Sequence, residues 1–437
     1  MTQASTLSLN TDQQAAADGF FQFLLSDEKE MVITGPGGVG KTFTVGHMAD
    51  KVLPTYERSM KLLGQTPKYR QVIMTATTNK AAEVLGLDCG RQTGTLASFM
   101  NLSVQEDFST GVSRLKKKNS WTVHQNLILF VDEASMVDTP LYNNTHEGTH
   151  DCKIVWIGDH CQLAPVTESK SPVFQKGLRT YELKQPMRTN IPELQALNLQ
   201  MRETVETGVF KPIKVVPGII DWFTGDQMLE VIKQKFSTQN TDDRILAYTN
   251  SRVVEYNNHV RDLRGLPSTF TAGERLINSS AIQLAKTMLS VEEEVTVLRV
   301  GSEVEPYWVT DYGGEAVHLN VYSMDIMTKL GRVYTDVKVP QDHAQFTLML
   351  KWLTSHKDWA TRARLKNQIL DLRPRDASTA HKAQGSSLDT VIIDMANLSQ
   401  IRNPDQAARA LYVALSRARK RVIMYGELAQ KFGGIIL

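Results

Sequence analysis

The chain has 437 residues, too many for one hydrophobic core, and we expect about two to four domains. Hydrophobic residues make up 41% and charged residues 22%, an ordinary globular composition that excludes a disordered or fibrous protein. The 49 basic and 47 acidic side chains leave a net charge of only +2, which excludes a generic polyanion binder, so any basic groove must be local. Three cysteines, Cys89, Cys152 and Cys161, indicate a reducing compartment without a disulfide framework.

Signals for export or membrane insertion are absent from the sequence. Residues 1–10 lack both a basic segment and an apolar segment, and no stretch of about 18 consecutive apolar residues occurs. We therefore expect a cytoplasmic protein with no membrane partner.

Residues 35–42 read GPGGVGKT and follow an apolar run at 31–34, which predicts a phosphate-binding loop between a strand and a helix. Glycines let backbone N–H groups surround the phosphates of a nucleoside triphosphate, and the dipole of the following helix adds to the attraction. Lys41 would reach the β- and γ-phosphates, and the Thr42 hydroxyl would ligate Mg²⁺. A Gly-rich turn without a ligand is the alternative, which the complete motif in its expected context disfavours. The nucleotide-binding residues predicted in this loop are Gly35, Gly37, Gly38, Val39, Gly40, Lys41 and Thr42.

Residues 127–133 read LILFVDE, a buried strand that ends in two carboxylates. At the carboxyl end of a parallel strand, Asp132 would complete the Mg²⁺ shell and Glu133 would polarise an attacking water. A Glu beside the Asp favours hydrolysis over transfer to a substrate hydroxyl. A solvated strand end is the alternative, since Asp-Glu pairs are common there.

A third strand is predicted at 153–158, and the sequence DHCQLAPV follows at 159–166. Gln162 would orient the nucleophilic water and sense the γ-phosphate. The pattern G-D-x-x-Q is weak evidence alone, but its place after the two preceding motifs makes it strong.

With these motifs in this order, the chain resembles superfamily 1 DNA helicases, in the branch that contains RecD and the phage Dda helicase, over nearly all of its length. The stretch LNTDQ at 9–13 looks like the segment whose glutamine, here Gln13, contacts the adenine edge. An amide side chain suits that role because it can pair bidentately with adenine.

Two further stretches resemble the DNA-contacting motifs of this family. TATTNKAA at 75–82 is similar to the strand-to-helix turn that grips DNA phosphates, with Thr77 where the family usually has Pro. TLASF at 95–99 is similar to the next contact, with Ala97 in place of a frequent His. The second departure puts a base contact in doubt and leaves phosphate contact by Thr95 intact.

The second half completes the set of motifs. ELKQPMR at 182–188 looks like the motif that supplies a first arginine finger, here Arg188, and ALYVALSRAR at 410–419 matches the last motif, in which Arg417 would be the second. ASTAHKAQG at 377–385 is similar to the motif that binds the DNA backbone and communicates with the nucleotide. A guanidinium supplied across a cleft would stabilise the γ-phosphate charge in the transition state and couple hydrolysis to closure. The alternative for both arginines is an ordinary surface ion pair.

The resemblance implies a site with separate catalytic, nucleotide, metal and DNA contacts. The implied catalytic residues are Lys41, Glu133, Gln162, Arg188 and Arg417. Besides the loop, the implied nucleotide contacts are Gln13, Asp132, Arg188, Gly385 and Arg417, with Mg²⁺ on Thr42 and Asp132. The implied DNA contacts are Thr78, Asn79, Thr95, Phe108, Asn250, Thr379, His381 and Lys382.

As a whole, the resemblance implies an ATP-dependent DNA helicase that translocates 5′-to-3′ on single-stranded DNA and unwinds duplex DNA during replication or recombination. We expect a monomer of phage origin that acts on single-stranded and forked DNA, with a single-strand-binding protein as a further partner. A translocase subunit of a recombination or nuclease complex is the alternative, which unwinding by the purified chain alone would distinguish. A non-catalytic nucleic-acid-binding module is disfavoured because every catalytic residue is present.

The fold class that follows is α/β, with two RecA-like P-loop domains. The first is expected at 1–182 with a β-hairpin insert at 101–124, and the second at 183–267 and 376–437. β-Branched runs at 268–375 predict a small barrel or sheet with a helical extension, and the resemblance implies that this insert is an SH3-like β-barrel. Its extension is predicted as a helical stretch at about 342–371, whose two tryptophans, Trp352 and Trp359, pack rather than bind bases.

Phe108 lies next to the turn signal at 109–111 of the predicted hairpin. An aromatic residue at a hairpin tip can stack on the last base pair of a fork, worth about 1–3 kcal/mol per base. Packing of Phe108 onto the domain is an equal alternative, and Trp121 is the second candidate for the wedge.

Two local clusters are ambiguous. The basic runs at 114–118 and 417–421 are candidates for a DNA groove or for solvated faces. A histidine–cysteine cluster suggests zinc, but its spacing occurs by chance, and we expect exposed loop residues there. The members of this cluster are His146, His150, Cys152, His160 and Cys161.

Overall fold

The computed structural model describes residues 8–106, 113–165, 168–239, 242–284, 287–310 and 313–436. The predicted wedge residue Phe108 lies outside these ranges. Among the residues described, no helix is both long enough and apolar enough to cross a bilayer.

The first half is built on a parallel sheet with helices on both faces. Its strands are β1 (Glu30–Thr34), β2 (Gln71–Ala76), β3 (Gly94–Thr95), β4 (Leu102–Glu106), β5 (Ser113–Lys117), β6 (His124–Gln125), β7 (Leu127–Asp132), β8 (Thr149–His150), β9 (Lys153–Gly158) and β10 (Arg179–Glu182). Its helices are α1 (Thr11–Leu25), α2 (Lys41–His47), α3 (Leu53–Leu62), α4 (Asn79–Cys89), α5 (Leu96–Phe99) and α6 (Thr139–Glu147), with a π-helical turn, Met48–Val52, between α2 and α3.

The strand order of this first sheet is β10-β1-β9-β7-β2-β3, and every neighbouring pair is parallel. The central strands are continuous apolar runs because helices cover both faces. Alternate residues of β7 pack on opposite sides: Ile128 and Phe130 against α1 and α3, and Leu129 and Val131 against α5 and α6. The carboxyl ends of β1, β7 and β9 therefore meet at one edge of the sheet.

An antiparallel pair of strands projects between α5 and β7. β4 and β5 pair from Leu102↔Lys117 to Glu106↔Ser113. Trp121 follows this pair and packs against the core of the first half, with Lys117 Nζ 4.1 Å from its ring centre. Trp121 is therefore a packing residue here and does not project as a wedge.

A second parallel sheet, in the order β12-β23-β22-β13-β21, organises the other half. The elements before its interruption are α7 (Pro192–Thr207), β11 (Ile213–Lys214), β12 (Ile220–Phe223), α8 (Gly225–Phe236), β13 (Asp243–Ala247) and α9 (Asn250–Leu263). After an interruption, the chain returns to this sheet through β21 (Ala377–Thr379), β22 (Leu388–Asp394) and β23 (Ala418–Tyr425).

Between α9 and the return lies an antiparallel sheet in the order β19-β18-β17-β14-β20. Its elements are β14 (Arg275–Asn278), β15 (Ile282–Leu284), β16 (Thr287–Leu289), β17 (Glu294–Thr310), β18 (Ala316–Thr328), β19 (Val333–Pro340), α10 (His343–Ser355), α11 (Trp359–Gln368) and β20 (Leu372–Pro374). The return comprises β21 (Ala377–Thr379), β22 (Leu388–Asp394), α12 (Met395–Leu398), α13 (Pro404–Leu415), β23 (Ala418–Tyr425) and β24 (Ile435–Ile436).

The helical extension consists of two helices within the predicted stretch at about 342–371. Lys357 has a φ of +55°, which a helix cannot accommodate. Asp358 then caps α11, since its Oδ1 accepts the Thr361 N–H at 3.0 Å. Trp352 is partly buried against the core between these helices and the sheet.

Candidate nucleotide site and nucleic-acid interface

The phosphate loop follows β1 and has a backbone that favours glycine. Gly38 and Gly40 have φ values of +85° and +79°, in the left-handed region. A Cβ added to Gly37 would lie 2.8 Å from Arg188 Nη1, and one added to Gly38 would lie 2.3 Å from Arg188 Cβ. The predicted first arginine finger therefore lies directly against the loop.

Lys41, the first residue of α2, bends back over the same loop. Its Nζ donates to the carbonyl oxygens of Gly35 at 2.8 Å and Pro36 at 3.0 Å. Burial lowers the pKa of Lys41, and nearby carboxylates, Asp159 first among them, oppose that decrease. The ammonium is thus held over the loop, where it can exchange carbonyl contacts for phosphate oxygens.

Two carboxylates stand at the carboxyl end of β7. Asp132 Oδ1 accepts the Glu133 N–H at 2.8 Å, and Glu133 has a φ of +53°. This conformation costs a non-glycine residue about 1–3 kcal/mol, so neighbouring contacts must hold it. Burial and the charge of Glu133 raise the pKa of Asp132 to about 7. A divalent cation would relieve that unfavourable charge, and the oxygen donors of Asp132 and half-buried Thr42 suit Mg²⁺.

Gln162 is buried in the loop after β9. Its Nε2 donates to Asp159 Oδ2 at 3.3 Å, and its N–H donates to the Asp159 carbonyl oxygen at 3.0 Å. Its Oε1 is buried and finds no hydrogen-bond partner among the described residues. Buried polar atoms normally have a partner, so this oxygen marks a position for a donor such as a water.

Both predicted arginine fingers lie at the boundary between the two halves. Arg188 Nη1 donates to the Ser416 carbonyl oxygen at 2.8 Å, and Arg417, only 1% exposed, donates through Nε to the Val413 carbonyl oxygen at 2.9 Å. Burial lowers the pKa of both arginines. Within the described part of the chain neither forms an ion pair with a carboxylate. Neither arginine therefore forms a surface ion pair among the described residues, and that alternative was wrong. Two guanidinium groups without a carboxylate partner suit a bound anion.

Asp159 joins the two halves. It is fully buried, its Oδ1 lies 2.7 Å from Arg202 Nη1, and its Oδ2 accepts the Tyr412 hydroxyl at 2.7 Å. Burial would raise the pKa of Asp159, but Arg202 and Lys41 more than offset it, so that the pKa is lowered. Arg409 adds a further link, since its Nη1 donates to the Gln162 carbonyl oxygen at 2.7 Å. The sequence interpretation assigned no role to these three partners of the loop after β9, and α7 carries no motif that would have indicated Arg202.

Gln384 is another contact that the sequence interpretation missed. Its Nε2 donates to Glu133 Oε2 at 3.1 Å. The adjacent Gly385, with a φ of +79°, is so close that an added Cβ would lie 3.8 Å from Glu133 Oε1. The segment at 377–385 therefore reaches the carboxylates of the first half.

Gln13 is buried beside the phosphate loop. Its Oε1 accepts the Asn10 N–H at 3.0 Å, which caps α1, and its Nε2 donates to the Val39 carbonyl oxygen at 3.1 Å. The side chain ties α1 to the loop. Nε2 also donates to Met187 Sδ at 3.5 Å, so the predicted contact with adenine would use the second lone pair of Oε1 and replace this weak sulfur contact at Nε2.

The predicted DNA contacts of the first half lie at helix N-termini. The hydroxyl of Thr78 accepts the Ala81 N–H at 3.2 Å and caps α4, whose first residue is Asn79. The hydroxyl of Thr95 accepts the Ser98 N–H at 3.1 Å and begins α5 in the same way. Helix N-termini attract phosphate groups, so this placement suits the predicted backbone contacts.

The corresponding residues of the second half follow β13 and β21. Asn250 is exposed at the start of α9, and His381 is exposed after β21. Thr379 is buried, with its hydroxyl accepting the Lys382 N–H at 3.2 Å. Lys382 Nζ forms an ion pair with Glu292 at 2.9 Å. Because β13 and β21 are adjacent and parallel, these residues share one edge of the second sheet.

Two sequence interpretations require correction. The basic run at 417–421 is not a free cationic surface, since Arg417 is buried and its other charged members pair with Asp389 or Asp221. Cys152 and Cys161 are buried and are not exposed loop residues.

A metal site at Cys161 does not fit its surroundings. Asp159, His160 and Cys161 place their ligand atoms within 4.8 Å of one another. The carboxylate of Asp159 is already occupied by Arg202 and Tyr412. Cys161 is buried because it belongs to the hydrophobic core that α7 and α13 help to form, which needs no metal.

Known protein families match both halves of the chain. The family described as AAA domain matches residues 8–212, and the UvrD-like helicase C-terminal domain matches residues 376–425. The ATP-dependent DNA helicase Dda of Enterobacteria phage T4 is 24% identical over 459 residues, which cover 94% of this chain and 97% of Dda. The ATP-dependent DNA helicase Pif1 of Bdellovibrio bacteriovorus is 22% identical, over 94% of this chain and 86% of that protein.

Solved structures share the fold along the whole chain. Bacteroides Pif1 in complex with ADP-AlF3 and single-stranded DNA superposes with a TM-score of 0.52 at 16% identity, covering 99% of this chain and 95% of that one. A structure of two coordinating Pif1 helicases at forked duplex DNA gives a TM-score of 0.51 at 18% identity, covering 99% and 94%. The order of motifs, the parallel sheets and the matched families agree, and the chain belongs to the superfamily 1 helicases of the Pif1 and Dda type.

Proposed function

We propose that this chain is an ATP-dependent DNA helicase that translocates 5′-to-3′ on single-stranded DNA and opens forked duplexes. The observation that carries the proposal is the approach of Arg188 to the phosphate loop, with buried Arg417 behind it and no ion pair to a carboxylate at either arginine in the described ranges. A triphosphate bound there would contact both halves of the molecule. The relatives named Dda and Pif1 are ATP-dependent DNA helicases, which supports the same activity.

ATP would bind with its phosphates on the loop at 35–42 and its adenine near Gln13. Lys41 would move from the loop carbonyls to the phosphates, while Thr42 and Asp132 would hold Mg²⁺. When bound, Mg²⁺ would neutralise part of the negative charge of the phosphates. Glu133 would accept a hydrogen bond from the attacking water, and the unpartnered Gln162 Oε1 would accept a second.

DNA would lie along the strand edges that carry the predicted contacts of both sheets. Closure of the cleft on ATP would bring the two sets of contacts together, and hydrolysis would release them, which moves the protein along the strand. Opening a base pair requires about 1.4 kcal/mol, a small demand on one hydrolysis cycle.

The proposed division of the chain follows the sheets. A first RecA-like domain spans 1–182 with the hairpin at 101–124, and a second spans 183–267 and 376–437. The antiparallel sheet at 268–375 would form the SH3-like insert over the DNA path. We propose that the protein acts as a monomer at a fork, alongside a single-strand-binding protein.

Strand displacement with 5′-tailed, 3′-tailed and forked duplexes tests this function. The purified chain should unwind 5′-tailed and forked substrates when ATP and Mg²⁺ are present, and Lys41→Ala should unwind none. ATP hydrolysis stimulated by DNA but without unwinding would indicate a translocase subunit instead. Hydrolysis indifferent to DNA would refute the proposal.

A further inference from the structure

Glu133 is held at two separate points, one from each proposed DNA-gripping segment. In the first half, Thr77 Oγ1 donates to the Glu133 carbonyl oxygen at 3.1 Å, and the Thr77 N–H donates to the Asp132 carbonyl oxygen at 3.2 Å. In the second half, Gln384 Nε2 donates to Glu133 Oε2 at 3.1 Å. The same residue thus receives a backbone contact and a side-chain contact from segments that lie far apart in the sequence.

The Thr77 contact bears on the backbone of Glu133. A φ of +53° is unfavourable for glutamate, so its orientation depends on bonds such as the one from the Thr77 hydroxyl. Thr77 directly precedes Thr78, which caps α4. Any displacement of the N-terminus of α4 by a bound phosphate is therefore transmitted to the Glu133 carbonyl through one peptide unit.

The Gln384 contact bears on the carboxylate itself. Nε2 donates to Glu133, while Oε1 is buried and has no hydrogen-bond partner in the described part of the chain. The amide can therefore fix one carboxylate oxygen and still accept a hydrogen bond from a water beside it. Gly385 follows with a φ of +79°, which lets the chain turn close to Glu133.

We propose that Thr77 and Gln384 are positioning residues that align Glu133 for hydrolysis and make that alignment depend on DNA. A DNA strand that contacts both segments, at 75–82 and 377–385, would hold them close together. It would thereby keep Gln384 in contact with Glu133. The inference rests on the proposed function, because it takes the segments at 75–82 and 377–385 as the DNA contacts.

Steady-state ATP hydrolysis with and without single-stranded DNA tests the inference. At saturating DNA, Gln384→Ala should lower kcat about tenfold and Thr77→Val about fivefold, as expected for loss of a hydrogen bond to a charged or a neutral acceptor. KM for ATP and the Kd for single-stranded DNA should stay within about twofold of wild type, because neither residue acts by binding.

Conservative variants separate positioning from packing. Thr77→Ser keeps the hydroxyl and should restore most of kcat, whereas Gln384→Glu keeps the shape but removes the donor and should be at least as slow as Gln384→Ala. The exposed Gln400 and Thr55 provide matched controls, Gln400→Ala and Thr55→Val, which should behave as wild type.

Three results would overturn the inference. One is wild-type kcat in both Gln384→Ala and Thr77→Val. Another is a wild-type rate in Gln384→Glu, since shape alone would then suffice. The third is a loss of affinity for DNA as large as the loss of kcat, because that result would identify Thr77 and Gln384 as DNA contacts and not as positioning residues. A wild-type enzyme that DNA does not stimulate would instead refute the proposed function.

Discussion

Tyr412→Phe removes one oxygen atom from a buried contact between the two halves. The Tyr412 hydroxyl donates to Asp159 Oδ2 at 2.7 Å, and both residues are fully buried. A hydrogen bond to a charged group is worth about 1.5–3 kcal/mol. Arg202 keeps its ion pair with Asp159 in the variant, so we expect the lower end, about 1.5 kcal/mol. That energy corresponds to about tenfold in the equilibrium constant for closure.

Closure places the segment of Ser416 and Arg417 against Arg188 at the phosphate loop, so a weaker closed state should appear as weaker ATP binding. We expect KM for ATP to rise about tenfold in Tyr412→Phe, while kcat at saturating ATP stays within about threefold, because bound ATP restores closure. Steady-state hydrolysis at saturating single-stranded DNA measures both constants. Tyr425→Phe, at a half-buried tyrosine of β23, is the matched control. An unchanged KM in Tyr412→Phe would refute the role of this bond in joining the halves.

Two further predictions concern the carboxylates after β7. Glu133→Gln should bind ATP and DNA normally yet hydrolyse ATP about 10²-fold more slowly, and a wild-type rate would exclude Glu133 as the residue that activates water. The pKa of Asp132 is raised from 3.8 in the unfolded chain to about 7 in the folded, nucleotide-free protein. The protonated carboxyl therefore stabilises the fold fully below pH 3.8, and this stabilisation is lost as the pH rises through about 7. Wild-type Tm should therefore fall between about pH 4 and about pH 7, and Asp132→Asn should reduce that fall; equal falls in both proteins would contradict the shift.

Those parts of the site that depend on consecutive residues could be predicted from the sequence. The glycines, Lys41 and Thr42 of the phosphate loop lie within eight consecutive residues, 35–42, so the motif alone predicts that they are close together in space. Asp132 and Gln162 each follow an apolar run, and the carboxyl ends of parallel strands share an edge. The resemblance to superfamily 1 helicases then correctly supplied the family.

Contacts between the halves could not be predicted in the same way. Gln384 and Glu133 are 251 positions apart, and Tyr412 and Asp159 are 253 apart. No periodicity or spacing relates such pairs, because their proximity depends on how the two sheets meet. The sequence interpretation gave the helical extension as a stretch and did not say where it divides, which the structure places at Lys357.

The central claim is that groups from both halves form one hydrolytic site at the phosphate loop. Single-turnover hydrolysis of bound ATP by Arg188→Ala at saturating single-stranded DNA tests it most directly, with Arg402→Ala as an exposed arginine control. We predict that Arg188→Ala binds ATP with an affinity close to that of wild type but hydrolyses it about 10³-fold more slowly, the effect of removing an arginine finger. Hydrolysis by Arg188→Ala at the wild-type rate would contradict the claim.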